Sequence, residues 1–273
     1  QEESEKAQVK REESVQAVVD APIASEVPTG IARENLLVPT EKYLKTGTHI
    51  GTRFKSGEMK RYIFKQRKDG LKVLDIQVID EHVRATASFL GRFESRRIVS
   101  VAGKLYGQKP AQVFAETIGG RAVVGRFVPG TFTNPEAKEF IEPSVIIVSE
   151  PEADRQAINE ATQMHIPVVA LASTNNSLAN IDVVVPMNNK GRKSLALVYW
   201  LLAREILKNA GSLASDEAFT KTVEDFEYQL RGDEEPEEEG PLTGKGRRGP
   251  RTRTERKPFE RNEYRSRWSN ERE

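Results

Sequence analysis

With 273 residues, 37% of them hydrophobic and 30% charged, the chain can bury the core of one medium domain with tails, or of two small ones. It holds no cysteine, which excludes disulfides, zinc–thiolate sites and cysteine nucleophiles. The net charge of +1 hides segregation: residues 1–34 carry 4 Lys+Arg against 8 Asp+Glu, 35–231 carry 27 against 22, 232–240 carry six acids and no base, and 241–273 carry 11 against 5. Blocks of one sign repel themselves and act as tails or contact arms. No apolar run approaches the ~20 residues of a membrane-spanning helix. The N-terminal stretch is charged where a signal peptide is apolar, so a cytoplasmic protein without membrane association is expected.

Residues 1–34 lack sustained hydrophobic periodicity and are expected to be a disordered acidic tail. A short helix is expected over 41–45, with Thr40 as N-cap and Gly47 as its stop. Residues 62–76 hold two strand-like runs around Asp69-Gly70, a hairpin signal. Ile79, Val83, Ala87 and Leu90 recur at helical spacing over 77–93.

Strands and helices then alternate. Strands are expected at 97–102, 122–124, 145–148, 168–171 and 183–185, and helices at 110–118, from Ser149 through Met164, and at 195–207. The all-β-branched run 145–148 suits a strand covered on both faces. Ser149-Glu-Pro-Glu152 has a capping-box pattern with proline near the first turn. Such alternation implies a parallel sheet with helices on both faces, a three-layer α/β domain over 35–211. Phe219, Val223, Phe226 and Leu230 predict an amphipathic docking helix within 212–231. The acidic spacer and Arg-rich tail of 232–273 cannot build a core.

A doubly wound fold raises a nucleotide enzyme as one hypothesis, so phosphate loops matter. Neither G-x-G-x-x-G after a strand nor G-x-x-x-x-G-K-[ST] occurs. Gly103-Lys-Leu-Tyr-Gly107 has the wrong glycine spacing. His49, His82 and His165 are scattered without metal-ligand spacing, and neither metal nor cofactor is expected.

The stronger signal is ten Lys+Arg within 42–72 against Glu58 and Asp69. Arg53, Lys55, Lys60, Arg61, Lys65, Arg67 and Lys68 are the candidate phosphate contacts, since clustered cations release counterions from nucleic acid. Tyr43, Phe54, Tyr62 and Phe64 are interleaved and are read mostly as core. A second candidate is Asn188-Asn-Lys-Gly-Arg-Lys193. There Lys190, Arg192 and Lys193 oppose the dipole of the helix they open, unless an anion binds at its free N–H groups. Arg126, Thr131, Thr133 and Asn134 form a third, on a loop after a strand, where parallel sheets place binding groups. A structural turn fits that composition equally well. Arg247, Arg248, Arg251 and Arg253 of the tail complete the set.

Three stretches carry a resemblance: Gly47-Thr-His-Ile-Gly-Thr-Arg-Phe-Lys-Ser-Gly-Glu-Met-Lys-Arg-Tyr-Ile-Phe64, Gly125-Arg-Phe-Val-Pro-Gly-Thr-Phe-Thr-Asn-Pro135, and Ile166-Pro-Val-Val-Ala-Leu171 with Asn188-Asn-Lys-Gly-Arg-Lys-Ser-Leu-Ala-Leu-Val-Tyr-Trp200. The chain resembles the universal small-subunit ribosomal protein two family, in its archaeal and eukaryotic branch, over about residues 36–231. The resemblance implies a flavodoxin-like fold and a non-enzymatic, structural place on the small ribosomal subunit. It further implies contacts to ribosomal RNA and neighbouring ribosomal proteins near the head–body junction, as one copy per subunit, with a role in subunit assembly. The competing hypothesis is a small-molecule-binding enzyme on a Rossmann-like fold, which fold alone does not exclude.

Overall fold

A computed structural model of the chain describes residues 36–213 and 219–229. The chain divides into two units, 1–229 and 230–273, and every described residue belongs to the first. The expectations for the acidic N-terminal tail, the acidic run and the Arg-rich tail, including Arg247, Arg248, Arg251 and Arg253, lie outside the described residues.

Helix α1 (Thr40–Thr46) stops on Gly47, whose φ of 69° is the left-handed conformation glycine adopts without strain. Its N-cap is Pro39 and not Thr40. A 3-10 turn (Glu58–Tyr62) leads into β1 (Ile63–Gln66), which pairs antiparallel with β2 (Lys72–Leu74). Helix α2 (Ile76–Leu90) follows, capped by the Asp75 carboxylate, which accepts from the Gln77 N–H at 3.0 Å.

The alternating part of the chain gives β3 (Ile98–Ala102), α3 (Leu105–Ile118), β4 (Arg121–Val124), β5 (Val145–Val148), α4 (Arg155–Gln163), β6 (Val168–Ala172), β7 (Val183–Pro186) and α5 (Arg192–Asn209). The five strands are all parallel, in the order β4-β3-β5-β6-β7. Strand order therefore reverses between β3 and β5, and a crevice is expected at their carboxyl ends.

Every residue of β3, β5 and β6 is buried, which is why those strands are apolar throughout but for Ser100. Alternate side chains serve opposite faces. Ile98, Ala102, Val145, Ile147, Val169 and Leu171 join the core shared with α2, α3 and α5. Val99, Val101, Ile146, Val148 and Val168 join a second core with Ala157, Ile158 and Ala161 of α4. Among the described residues α4 is the one helix on this second face, and Phe127 and Phe132 from the loop after β4 complete it.

Three expected boundaries shift. The helix expected from Ser149 starts at Arg155, because Glu150 and Asp154 turn inward and Ser149 is tied to Tyr199. Helix α3 begins five residues before Pro110, which lies buried inside it. The amphipathic segment near the C-terminus is helical only at α6 (Val223–Phe226) within its described residues. It is fastened to α3 and α5: Trp200 Nε1 donates to the Lys221 carbonyl at 2.7 Å, and Lys221 Nζ donates to Thr117 Oγ1 at 2.9 Å.

Candidate nucleic-acid interface

Residues 47–56 lie across the carboxyl ends of β6 and β7 and are tied there by backbone groups. Thr52 N–H donates to Thr174 Oγ1 at 2.8 Å, and Ser56 N–H donates to the Thr174 carbonyl at 2.8 Å. Asn188 N–H donates to the Thr48 carbonyl at 2.9 Å, while its side-chain amide donates to the Gly47 carbonyl at 3.1 Å. The approach is close enough to need glycine: a Cβ on Gly51 would lie 2.5 Å from Thr174 Cγ2 and 3.0 Å from the Lys72 carbonyl oxygen. The stitching brings two of the candidate segments together. Arg53, Lys55, Lys60, Arg61, Lys65 and Lys68 are exposed, and Lys190 and Lys193 are exposed on the segment that Asn188 anchors.

Not every cation of these segments faces solvent freely. Lys72 is buried and donates to Gln66 Oε1. Arg67 pairs with Asp69 at 3.3 Å. Arg192, expected to face an anion with its neighbours, instead pairs with Glu227 at 3.1 Å and pins the segment after α6. The dipole conflict at the start of α5 is thus relieved within the protein for one of three cations.

The loop after β4 divides in the same way. Arg126 and Asn134 are exposed and Thr133 is half-buried, but Thr131 is buried and its hydroxyl donates to the Val128 carbonyl at 2.7 Å. Thr131 therefore shapes the turn. Phe127 and Phe132 meet edge to face at 5.0 Å beneath the sheet. Buried Glu160 of α4 holds the loop: its Oε1 accepts from Gly130 N–H at 2.8 Å and its Oε2 from Phe132 N–H at 3.1 Å. Because β4 and β7 are opposite edges of the sheet, this loop shares an end of the domain with the basic segments but not a patch.

The crevice where strand order reverses is closed by acid. Asp154 Oδ1 accepts from Gly103 N–H at 2.7 Å, and a Cβ on Gly103 would lie 2.7 Å from that same oxygen. Buried Glu150 stands beside it, paired with Lys104 at 3.1 Å. Backbone N–H groups that cradle a phosphate in nucleotide-binding relatives of this fold here hold a carboxylate, and a second carboxylate would repel an incoming anion. Nor is there a nucleophile with a base: the Tyr199 hydroxyl lies 2.7 Å from Ser149 Oγ and 3.3 Å from Ser100 Oγ, and burial pushes it up to about 12. No metal-binding cluster occurs among the described residues.

Burial also pushes the Asp154 carboxyl up to about 6, against the lowering effect of the hydrogen bonds from Gly103 and Glu150. Because the folded value exceeds the ordinary one, the unfolded chain loses its proton first as pH rises. This group therefore withdraws stability between about pH 4 and 6, on the order of 2–3 kcal/mol, and adds no further pH dependence above that. Asp154→Asn keeps an acceptor for Gly103 and removes the titration. Relative to that variant, the wild-type chain is expected to gain this stability as pH falls from about 7 to 4, read from urea midpoints. Parallel pH curves for the two proteins would refute it.

Sequence reasoning assigned the aromatics of 42–72 mostly to the core, and the structure splits them evenly. Tyr43 and Tyr62 are buried, whereas Phe54 is 78% and Phe64 is 66% exposed. In β1 only Ile63 is half-buried and the three residues after it are exposed, so no alternation in the sequence marked Phe64 as the outward ring.

No helix among the described residues is long and apolar enough to cross a membrane. A family model described as ribosomal protein S2 matches residues 43–142 and 137–209. Small ribosomal subunit protein uS2 of Thermoplasma acidophilum is 49% identical over 197 residues, covering 72% of this chain and 99% of the relative. The protein of that name from Thermoplasma volcanium is 48% identical over the same coverage.

Proposed function

The chain belongs to the ribosomal protein S2 family, and from that premise we propose that it is held in the small ribosomal subunit by the cationic surface stitched over the ends of β6 and β7. It is a structural constituent of that subunit and not an enzyme, and it associates with small-subunit ribosomal RNA and proteins. The observation that supports this mode of attachment is the joining of two basic segments, 136 residues apart from Thr52 to Asn188, at one end of the sheet. Phosphate oxygens are their natural partners, because exposed cations on a rigid backing neutralise RNA without needing a base-specific pocket. Arg126 and Asn134 form a separate contact at the opposite edge. On the family resemblance we infer that these contacts lie near the head–body junction, beside neighbouring ribosomal proteins.

Sedimentation tests the reading. The full chain is expected to travel with small subunits depleted of this protein, and a variant with Lys60, Arg61, Lys190 and Lys193 changed to Gln is expected to remain largely at the top of the gradient. All four side chains are exposed, so the variant should melt with the wild type, surface changes being worth within about 0.5 kcal/mol each. Equal co-sedimentation of the variant would remove the proposed surface.

A further inference from the structure

Beside the basic segments, an open groove of about 1310 Å³ runs between the 3-10 turn, β1 and the edge strand β7 next to α2. Its apolar wall includes Tyr62 and Val184, with His82 set edge to face against Tyr62 at 5.2 Å and its Nδ1 2.7 Å from the Val184 carbonyl. Lys60, Arg61 and Lys65 line it, and so does Phe64. The two acids of the wall are held by backbone N–H groups, Glu58 Oε2 accepting from Leu178 at 2.7 Å and Asp182 Oδ2 from Val168 at 2.8 Å, and Lys55, Lys60, Arg61, Lys65 and Lys72 outnumber them. The groove is therefore cationic, with a phenyl ring left largely in water among the cations. Phe54, next to the groove-lining Lys55, is exposed still more.

We propose that this groove takes unpaired nucleotides of RNA, one base stacking on Phe64 while the flanking phosphates meet Lys60, Arg61 and Lys65. The inference rests on the RNA-binding reading above and specifies the kind of RNA. Cations alone would serve a duplex equally well, because its phosphates are as accessible as those of a single strand. The exposed ring decides between them. A phenyl face gains from a base only when that base has a free face of its own, and bases inside a helix have none. Exposed aromatics interleaved with cations form the pattern by which proteins hold single strands with little sequence preference. An acidic peptide matches the charge but offers nothing that stacks as a base does.

The test uses the full chain, with oligoadenylate of about twelve nucleotides as the single strand and a blunt-ended RNA duplex of equal phosphate number as the paired control. Phe64→Ala is expected to weaken oligoadenylate roughly five- to a hundredfold, with the salt slope unchanged because no phosphate contact is lost. Phe64→Trp is expected to restore binding. Affinity for the duplex should be the same in all three proteins. Wild-type affinity for oligoadenylate after Phe64→Ala overturns the proposal, as does displacement of the oligonucleotide by polyglutamate as readily as by RNA. If the wild-type chain binds small-subunit RNA with the expected salt dependence while Phe64→Ala has no effect, the groove assignment alone falls. If the wild-type chain binds no RNA even at low salt, the broader reading falls and takes this one with it.

Discussion

Raising salt from about 50 to 200 mM is expected to weaken binding of this chain to small-subunit ribosomal RNA roughly a thousandfold. Arg53, Lys55, Lys60, Arg61, Lys65, Lys68, Lys190 and Lys193 are all exposed at one end of the domain. Six phosphate contacts among them give a slope of about −5 in log affinity against log salt, and a fourfold rise in salt then yields that loss. The cations left out of the count matter as much. Arg67, Arg192 and Lys72 have partners inside the protein, so their replacement should change the slope less. Each contact removed, Lys60→Gln for example, is expected to reduce the slope by about one, whatever the RNA sequence. A flat titration, measured by filter binding, would mean that the contacts are not phosphate neutralisation.

The largest stability effect is expected at Glu160. Its two carboxylate oxygens accept from Gly130 N–H and Phe132 N–H, and Oε1 also accepts from Gln156 Nε2 at 2.9 Å. Glu160→Ala leaves two backbone donors under the second core without acceptors, each costing ~1–3 kcal/mol. A loss on the order of 2–5 kcal/mol follows, a fall in melting temperature of roughly 5–15 °C for a domain of this size. The loss should start locally: amides of Gly130 and Phe132 should exchange faster than those of β5, since the loop covers part of that face with Phe127 and Phe132. A melting temperature within about 1 °C of wild type would show that the loop is held by its phenylalanines alone.

The parts of this structure that were legible in the sequence are those decided by near neighbours. The continuous run of β5, the glycine stop of α1 and the Asp69-Gly70 turn are settled within a few residues, by burial on both faces and by backbone conformations that glycine tolerates. What the local sequence does not show depends on partners far along the chain. Thr131 reads equally as a binding hydroxyl or as part of a structural turn, because nothing local says that Glu160, about thirty residues on, draws its loop inward. That Arg192 pairs with Glu227 is equally hidden, because the two are remote in sequence. The Ser149 capping pattern lost to a requirement at the end of β3, where Asp154 must reach Gly103. Among the site residues, charge was readable and its allocation was not. A cation facing solvent and one facing a distant carboxylate look alike in sequence.

The ties from Gly47, Thr48, Thr52 and Ser56 to Thr174 and Asn188 also set a clock. At a synthesis rate of about 5–20 residues per second, on the order of ten seconds separate the emergence of Thr52 from that of Asn188. Throughout that interval the first basic segment has left the ribosome without the strand ends that fix its shape. A nascent chain halted before Thr174 holds the basic segment of 42–72 without the partners that anchor residues 47–56. The mature surface exists only once the last strand is in place, so a partial copy competes poorly for the place that the finished protein takes.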